Sequence, residues 1–62
     1  MTYDLGGVRH LPPLLTVSEV AKMLRVSKMT VYRLIEDKRL EAIKVRGSFR
    51  IPRDAVIQYL NP

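Results

Sequence analysis

The chain has no cysteine and a single histidine, His10, so neither a disulfide nor a zinc site is available to stiffen it. A cysteine-free chain tolerates either redox compartment, so that question stays open. Aromatic residues make up only 6% of it, a poor fit to the stacking platforms that hold single-stranded nucleic acid. No apolar run approaches the roughly 18 residues of a membrane span, and the N-terminus lacks the charged-then-apolar order of a signal peptide. The expectation is a soluble, intracellular protein without a membrane partner. No Ser/His/Asp set, carboxylate pair or glycine-rich phosphate loop occurs, and a 62-residue chain hides too little surface to build a deep cleft. Neither enzyme activity, a cofactor, a metal nor a small-molecule ligand is therefore expected. Acidic residues are scarce as well: 6 Asp plus Glu face 11 Lys plus Arg, for a net charge of +5. Something anionic is the expected partner.

What is present is one small domain. Residues 1–13, with the Gly6-Gly7 and Pro12-Pro13 pairs, show no period and are expected to form a flexible tail, leaving 14–62 as the folded unit. A first helix should start at Thr16, whose hydroxyl caps a free backbone N–H while Glu19 reaches back, with Leu15 and Val20 as the hydrophobic staple. Val17, Val20, Ala21 and Leu24 fall on one stripe, and Ser18, Lys22 and Arg25 face away. Ser27 reads as a second cap and Val26 with Val31 as a second staple, so only Arg25 and Val26 remain for the corner. Val31, Leu34 and Ile35 form the buried stripe of the second helix, with Met29, Tyr32, Arg33 and Glu36 on its open side. Ala42 to Ile51 then changes to an alternating period around Gly47 and Ser48, a β-hairpin with a basic tip. Pro52 is placed in the first turn of a last helix, where Asp54 complements the dipole and Val56, Ile57 and Leu60 pack inward.

The fold class that follows is mostly α with a β-hairpin: a winged helix-turn-helix, with a two-stranded wing and a C-terminal helix. A DNA major groove about 12 Å wide admits one helix whose first turns are clear of the preceding helix, and the tight corner supplies that clearance. Leu15-Thr16-Val17 with Glu19-Val20-Ala21, Val26-Ser27 with Thr30-Val31-Tyr32-Arg33, and Val45-Arg46-Gly47 with Phe49-Arg50-Ile51-Pro52 resemble the excisionase and MerR-like group of small winged helix-turn-helix proteins. The resemblance covers nearly all of Leu14 to Leu60. It implies that the helix from Ser27 enters the major groove while the hairpin tip reaches an adjacent minor groove. Full-length MerR regulators continue into a dimerisation helix and an effector-binding region that this sequence lacks.

Charge placement supports the same reading. From Arg25 to Arg53 nine basic residues face Glu36, Asp37 and Glu41, a net of +6. In the major groove, Arg33 is expected to grip the O6 and N7 acceptors of guanine, or else a phosphate, and Met29 to lie against a thymine methyl. Ser27, Lys28 and Thr30 occupy the first turn, where backbone N–H groups and the dipole attract phosphate, although Ser27 already has a role as the cap. Tyr32 should reach a phosphate while its ring covers the junction between helix and wing. Arg46, Gly47 and Ser48 make the wing tip, Gly47 supplying the positive φ of a tight hairpin and Arg46 entering the minor groove. Lys44 and Arg50 are expected to flank that tip on phosphates, and Thr16, Arg25 and Lys38 to contact the backbone further out. Phe49 and Ile51 read as core.

Two readings share this surface. One is an excisionase-type architectural protein of phage origin, acting on DNA in the bacterial cytoplasm. Copies would bind direct repeats head-to-tail and cooperatively, bending the DNA so that an integrase excises. The other is a small transcription regulator of the MerR or BldC type. A third, of a different class, is a module that docks on an acidic protein through Met23 and Tyr59. One recognition helix reads few base pairs, so useful specificity should need several copies.

Overall fold

A computed structural model describes residues 12–61. The expected tail lies outside these residues but for Pro12 and Pro13, and Pro62 lies outside them too. In chain order the elements are β1 (Leu14–Thr16), α1 (Val17–Leu24), α2 (Lys28–Glu36), β2 (Ile43–Val45), β3 (Ser48–Pro52) and α3 (Arg53–Leu60). The three helices and the hairpin make a winged helix-turn-helix, and the boundaries follow from local chemistry.

Thr16 caps α1 as its residue type requires. Its Oγ1 accepts from the Glu19 N–H at 3.1 Å, and the Thr16 N–H donates to Glu19 Oε1 at 2.8 Å, completing the capping box. Ser27 caps α2, its Oγ accepting from the Thr30 N–H at 3.1 Å. Between the caps the chain turns through Arg25 in the left-handed region (φ 59°), and the Val26 N–H reaches the Ala21 carbonyl at 3.0 Å. This is the Schellman closure, in which one positive-φ residue ends a helix and satisfies its last carbonyls. Val26 stays 38% exposed, so it covers Val31 less than a staple would. The end of α2 repeats the closure: Lys38 has φ 62°, and Leu34 O accepts from both Arg39 N at 2.9 Å and Leu40 N at 3.1 Å. That tight fold-back turns Leu40 into the core, where it is 2% exposed.

The wing is larger than a hairpin. The sheet runs β1-β3-β2, with β3 paired antiparallel to both neighbours. β1 is three residues long and shows no alternation in sequence, but β3 has a free edge that those residues fill. The register sets Leu15 opposite Ile51, both buried, and each contributes about 1.5–3 kcal/mol by leaving water. The Arg53 N–H donates to the Pro13 carbonyl at 2.8 Å and fastens the start of α3 to the start of β1. Pro52 ends β3 and is the N-cap of α3, one place before the helical turn expected for it, and Asp54 lies in the first turn.

One core joins these elements. Leu15, Val17, Val20, Ala21, Val31, Leu34, Leu40, Ile51, Ala55 and Val56 are buried, with Met23, Leu24, Ile35, Phe49 and Leu60 packed against them. The apolar stripes expected on the first two helices are therefore the faces that meet. Among the described residues no polar side chain is buried, and no helix is long and apolar enough to cross a membrane.

Candidate nucleic-acid interface

The face of α2 turned from the core is open to solvent. Met29 is 63% exposed, and Arg33, one turn later, is exposed beside it. The helix begins with no acidic residue in its first turn, whereas α1 has Glu19 there and α3 has Asp54. Its positive dipole end thus has no carboxylate of its own in the first turn. The Ser27 and Thr30 hydroxyls are 3.0 Å apart and bonded to each other, so both serve the cap first and offer only their remaining hydrogen-bonding capacity outward.

Lys28 and Tyr32, on the neighbouring stripe of α2, face the wing across a cleft of about 390 Å³. The N-terminus of α1 at Thr16 closes one end, and Lys44, Gly47, Ser48 and Arg50 line the hairpin side. No acidic residue lines it. Larger clefts lie elsewhere, of about 700 Å³ along α3 and about 670 Å³ behind α2, but Glu41 sits in both, joined by Asp54 in the first and Glu36 in the second. Size and charge thus separate: the basic cleft is the smaller one, and it joins α1, α2 and the wing.

An aromatic contact joins α2 to the wing. The Tyr32 and Phe49 rings are 6.1 Å apart at 58°, and Lys44 Nζ stands 5.3 Å from the Phe49 centroid. Tyr32 covers the helix-to-wing junction, as its position suggested, and Phe49 packs on the core.

The hairpin differs from its sequence reading at the turn. Its turn is Arg46-Gly47 alone, with φ 53° and 82°, the two positive values of a type I′ turn. Ser48 belongs to β3 and pairs with Val45, so it sits beside the tip and not in it. Lys44 and Arg50 stand on opposite faces of the sheet: Lys44 pairs with Phe49 on the core side, whereas Arg50 pairs with Ile43 and Thr16 on the outer face. Directly opposed residues share a face, so the alternation of Ile43 and Val45 with Lys44 runs opposite to a core-facing strand. Ile43 is 43% exposed and Val45 38%. Arg50 also bends back to donate from Nη1 to the Phe49 carbonyl at 3.0 Å, which holds its guanidinium near the strand.

Of the outlying candidates, Thr16 is half-buried at the cleft's end, its oxygen committed to the cap. Arg25 is exposed at the corner between the helices, and Lys38 is exposed beyond α2. Sequence reasoning treated Arg25 and Lys38 as charges and missed that both hold left-handed backbone, because no glycine marks the positions. Met23 packs against the core, while Tyr59 is 37% exposed. Among the described residues no cluster of His, Cys, Asp and Glu has the makings of a metal site.

Two short helices meeting at a tight corner, with a basic wing folded against the second, define a winged helix-turn-helix protein. The chain belongs to the helix-turn-helix domain family, which matches residues 14–62. It is 47% identical over 49 residues to an excisionase of Streptomyces ambofaciens, covering 79% of each chain, and is thus excisionase-like. It is also 58% identical over 50 residues to a protein of Mycobacterium tuberculosis, found in two strains, that is provisionally named as DNA-binding. That match covers 81% of this chain, which spans 64% of the length of those mycobacterial relatives.

Proposed function

We propose that the protein binds double-stranded DNA in a sequence-specific way as an excisionase-type architectural factor. The cleft carries this reading: cations from α2 and from both strands of the hairpin meet around one acid-free hollow, beside the most exposed face of α2. In this arrangement α2 lies in the major groove. Arg33 donates to guanine O6 and N7, and Met29 covers a thymine methyl. Lys28, Thr16 and the first turn of α2 hold phosphates at the cleft. Arg46, carried by the Arg46-Gly47 turn, enters the neighbouring minor groove, with Lys44, Ser48 and Arg50 on its flanks.

A single module of this kind buries only about 600–1,000 Å² of protein surface on DNA. Copies therefore sit side by side on direct repeats through a contact that does not close on itself, each adding to a bend that an integrase uses for excision. The name of the Streptomyces relative supports this route. The mycobacterial relatives, named for DNA binding alone, fit a second reading equally well, a small transcription regulator using the same surface at a promoter.

Selection of bound duplexes from a random pool, followed by binding and bending measurements on one and several copies of the selected site, tests both. Cooperative binding with a bend that grows per copy supports the architectural reading. A Hill slope of one on an unbent fragment leaves only the regulator. Weaker affinity for the selected duplex is expected on R33A and R46A, and full retention by both variants would remove the interface as drawn.

A further inference from the structure

Among the described residues four have positive φ: Gly47, Arg25, Lys38 and Arg46. A side chain with a Cβ is strained there, and the usual exceptions are asparagine and aspartate, whose short polar groups bond locally. Here every exception is a long cation.

None of the three backbone roles asks for one. Arg25 and Lys38 occupy the position of a Schellman closure where glycine is the common residue, and the bonds that end α1 and α2 are made by main-chain atoms alone. Arg46 takes the first central place of a type I′ turn, where asparagine is favoured. Their side chains are exposed, and none has a hydrogen bond, ion pair or ring contact among the described residues. A cation near a helix C-terminus also complements the dipole. That role is already filled by Lys22 in the last turn of α1 and Arg33 in the last turn of α2, and Arg46 is at no helix end.

We propose that Arg25, Lys38 and Arg46 hold strained backbone because each charge is used outside the molecule, as a counter-ion for the DNA backbone: Arg25 and Lys38 on phosphates, and Arg46 between the two phosphate walls of the minor groove it enters. The three stand at the corner before α2, just beyond its C-terminus and at the wing tip, so they bracket the helix and set the outline of the contact. The proposal rests on the DNA-binding reading above and adds to it the residues that fix the extent of phosphate contact.

The test uses the full chain and a selected duplex. R25G, K38G and R46N relieve the strain and remove the charge, whereas R25K, K38R and R46K keep both. Each relieving variant should melt about 3–6 °C higher, on the scale of several degrees per unit of stabilisation for a domain this small. Each should also lower the slope of log affinity against log salt by about 0.9, the value of one phosphate contact. The charge-keeping variants should match the wild type in both. A raised melting temperature with an unchanged salt slope overturns the proposal, because the charges are then idle. A lowered melting temperature also overturns it, because the cations then serve as caps. Failure of the DNA-binding reading shows separately, as a wild-type chain with no affinity for any selected duplex.

Discussion

The aromatic contact between α2 and the wing is open to a direct energetic test. Tyr32 and Phe49 lie 6.1 Å apart and tilted at 58°, within the range where ring quadrupoles attract beyond simple burial. Such pairs contribute about 0.5–1.5 kcal/mol, and with Tyr32 46% exposed the lower half of that range applies, about 0.5–1 kcal/mol. Lys44 over the same ring, at 5.3 Å and exposed, adds about 0.5 kcal/mol. The perturbation is the pair Y32L and F49L, singly and together, because leucine suits both an exposed helix position and a half-buried strand position. In urea, with a slope of about 1 kcal/mol per molar for so small a chain, the double variant should depart from additivity by about 0.5–1 M in its midpoint. K44M, which keeps the aliphatic stem and removes the charge, should lower the midpoint by about half as much in the wild type and not at all in F49L. Additivity within about 0.2 M would refute the reasoning: the rings would then be neighbours without coupling, and the sheet alone would aim the wing.

Four further outcomes follow from the same structure. T16A removes half of the capping box and should cost about 1 kcal/mol, seen as a melting temperature lower by about 4–8 °C. I51A empties the centre of the sheet–helix packing and should cost about 2–5 kcal/mol; a domain this small has little more than that, so circular dichroism should show an unfolded chain at 25 °C. G47V meets no atom within 4 Å, yet a β-branched residue at φ 82° strains the turn, so it should destabilise by about 1–2 kcal/mol while R46N does not. Affinity for a selected duplex should fall about a thousandfold between 50 and 200 mM salt if roughly six phosphates are contacted, and a nearly flat dependence would argue against the charged interface.

How far residue types foretell this molecule varies by element. Both N-caps could be read directly, since a threonine or serine before an apolar stripe has one favourable use and the structure shows its hydrogen bonds. The corner and the hairpin were equally plain, because caps set close together and a glycine between alternating runs leave few alternatives. β1 escaped notice: three residues carry no period, and their strand exists only because β3 offers a free edge. Which face of β2 meets the core was also hidden, for Ile43 and Val45 suggest the inward side, and register alone shows that Lys44 shares a face with Phe49. Leu40 was missed because it follows a helix end and belongs to no stripe; the double use of the Leu34 carbonyl is what turns it inward. On the candidate interface, α2 and the tip follow from pattern, whereas the opposite placement of Lys44 and Arg50 required the pairing of three strands.

The pairing of β1 with β3 has a consequence in time. Leu15 meets Ile51, and Arg53 bonds to Pro13, so the first and last elements close on each other across most of the described chain. Synthesis at about 5–20 residues per second separates Leu15 from its partner by about 2–7 s. Once Glu36 has been added, α1 and α2 are both complete as neighbours in sequence, while one wall of their core waits for residues that do not yet exist. The topology therefore orders the contacts in the chain: those between α1 and α2 are local, whereas the pairing of β1 with β3 needs residues made near the end.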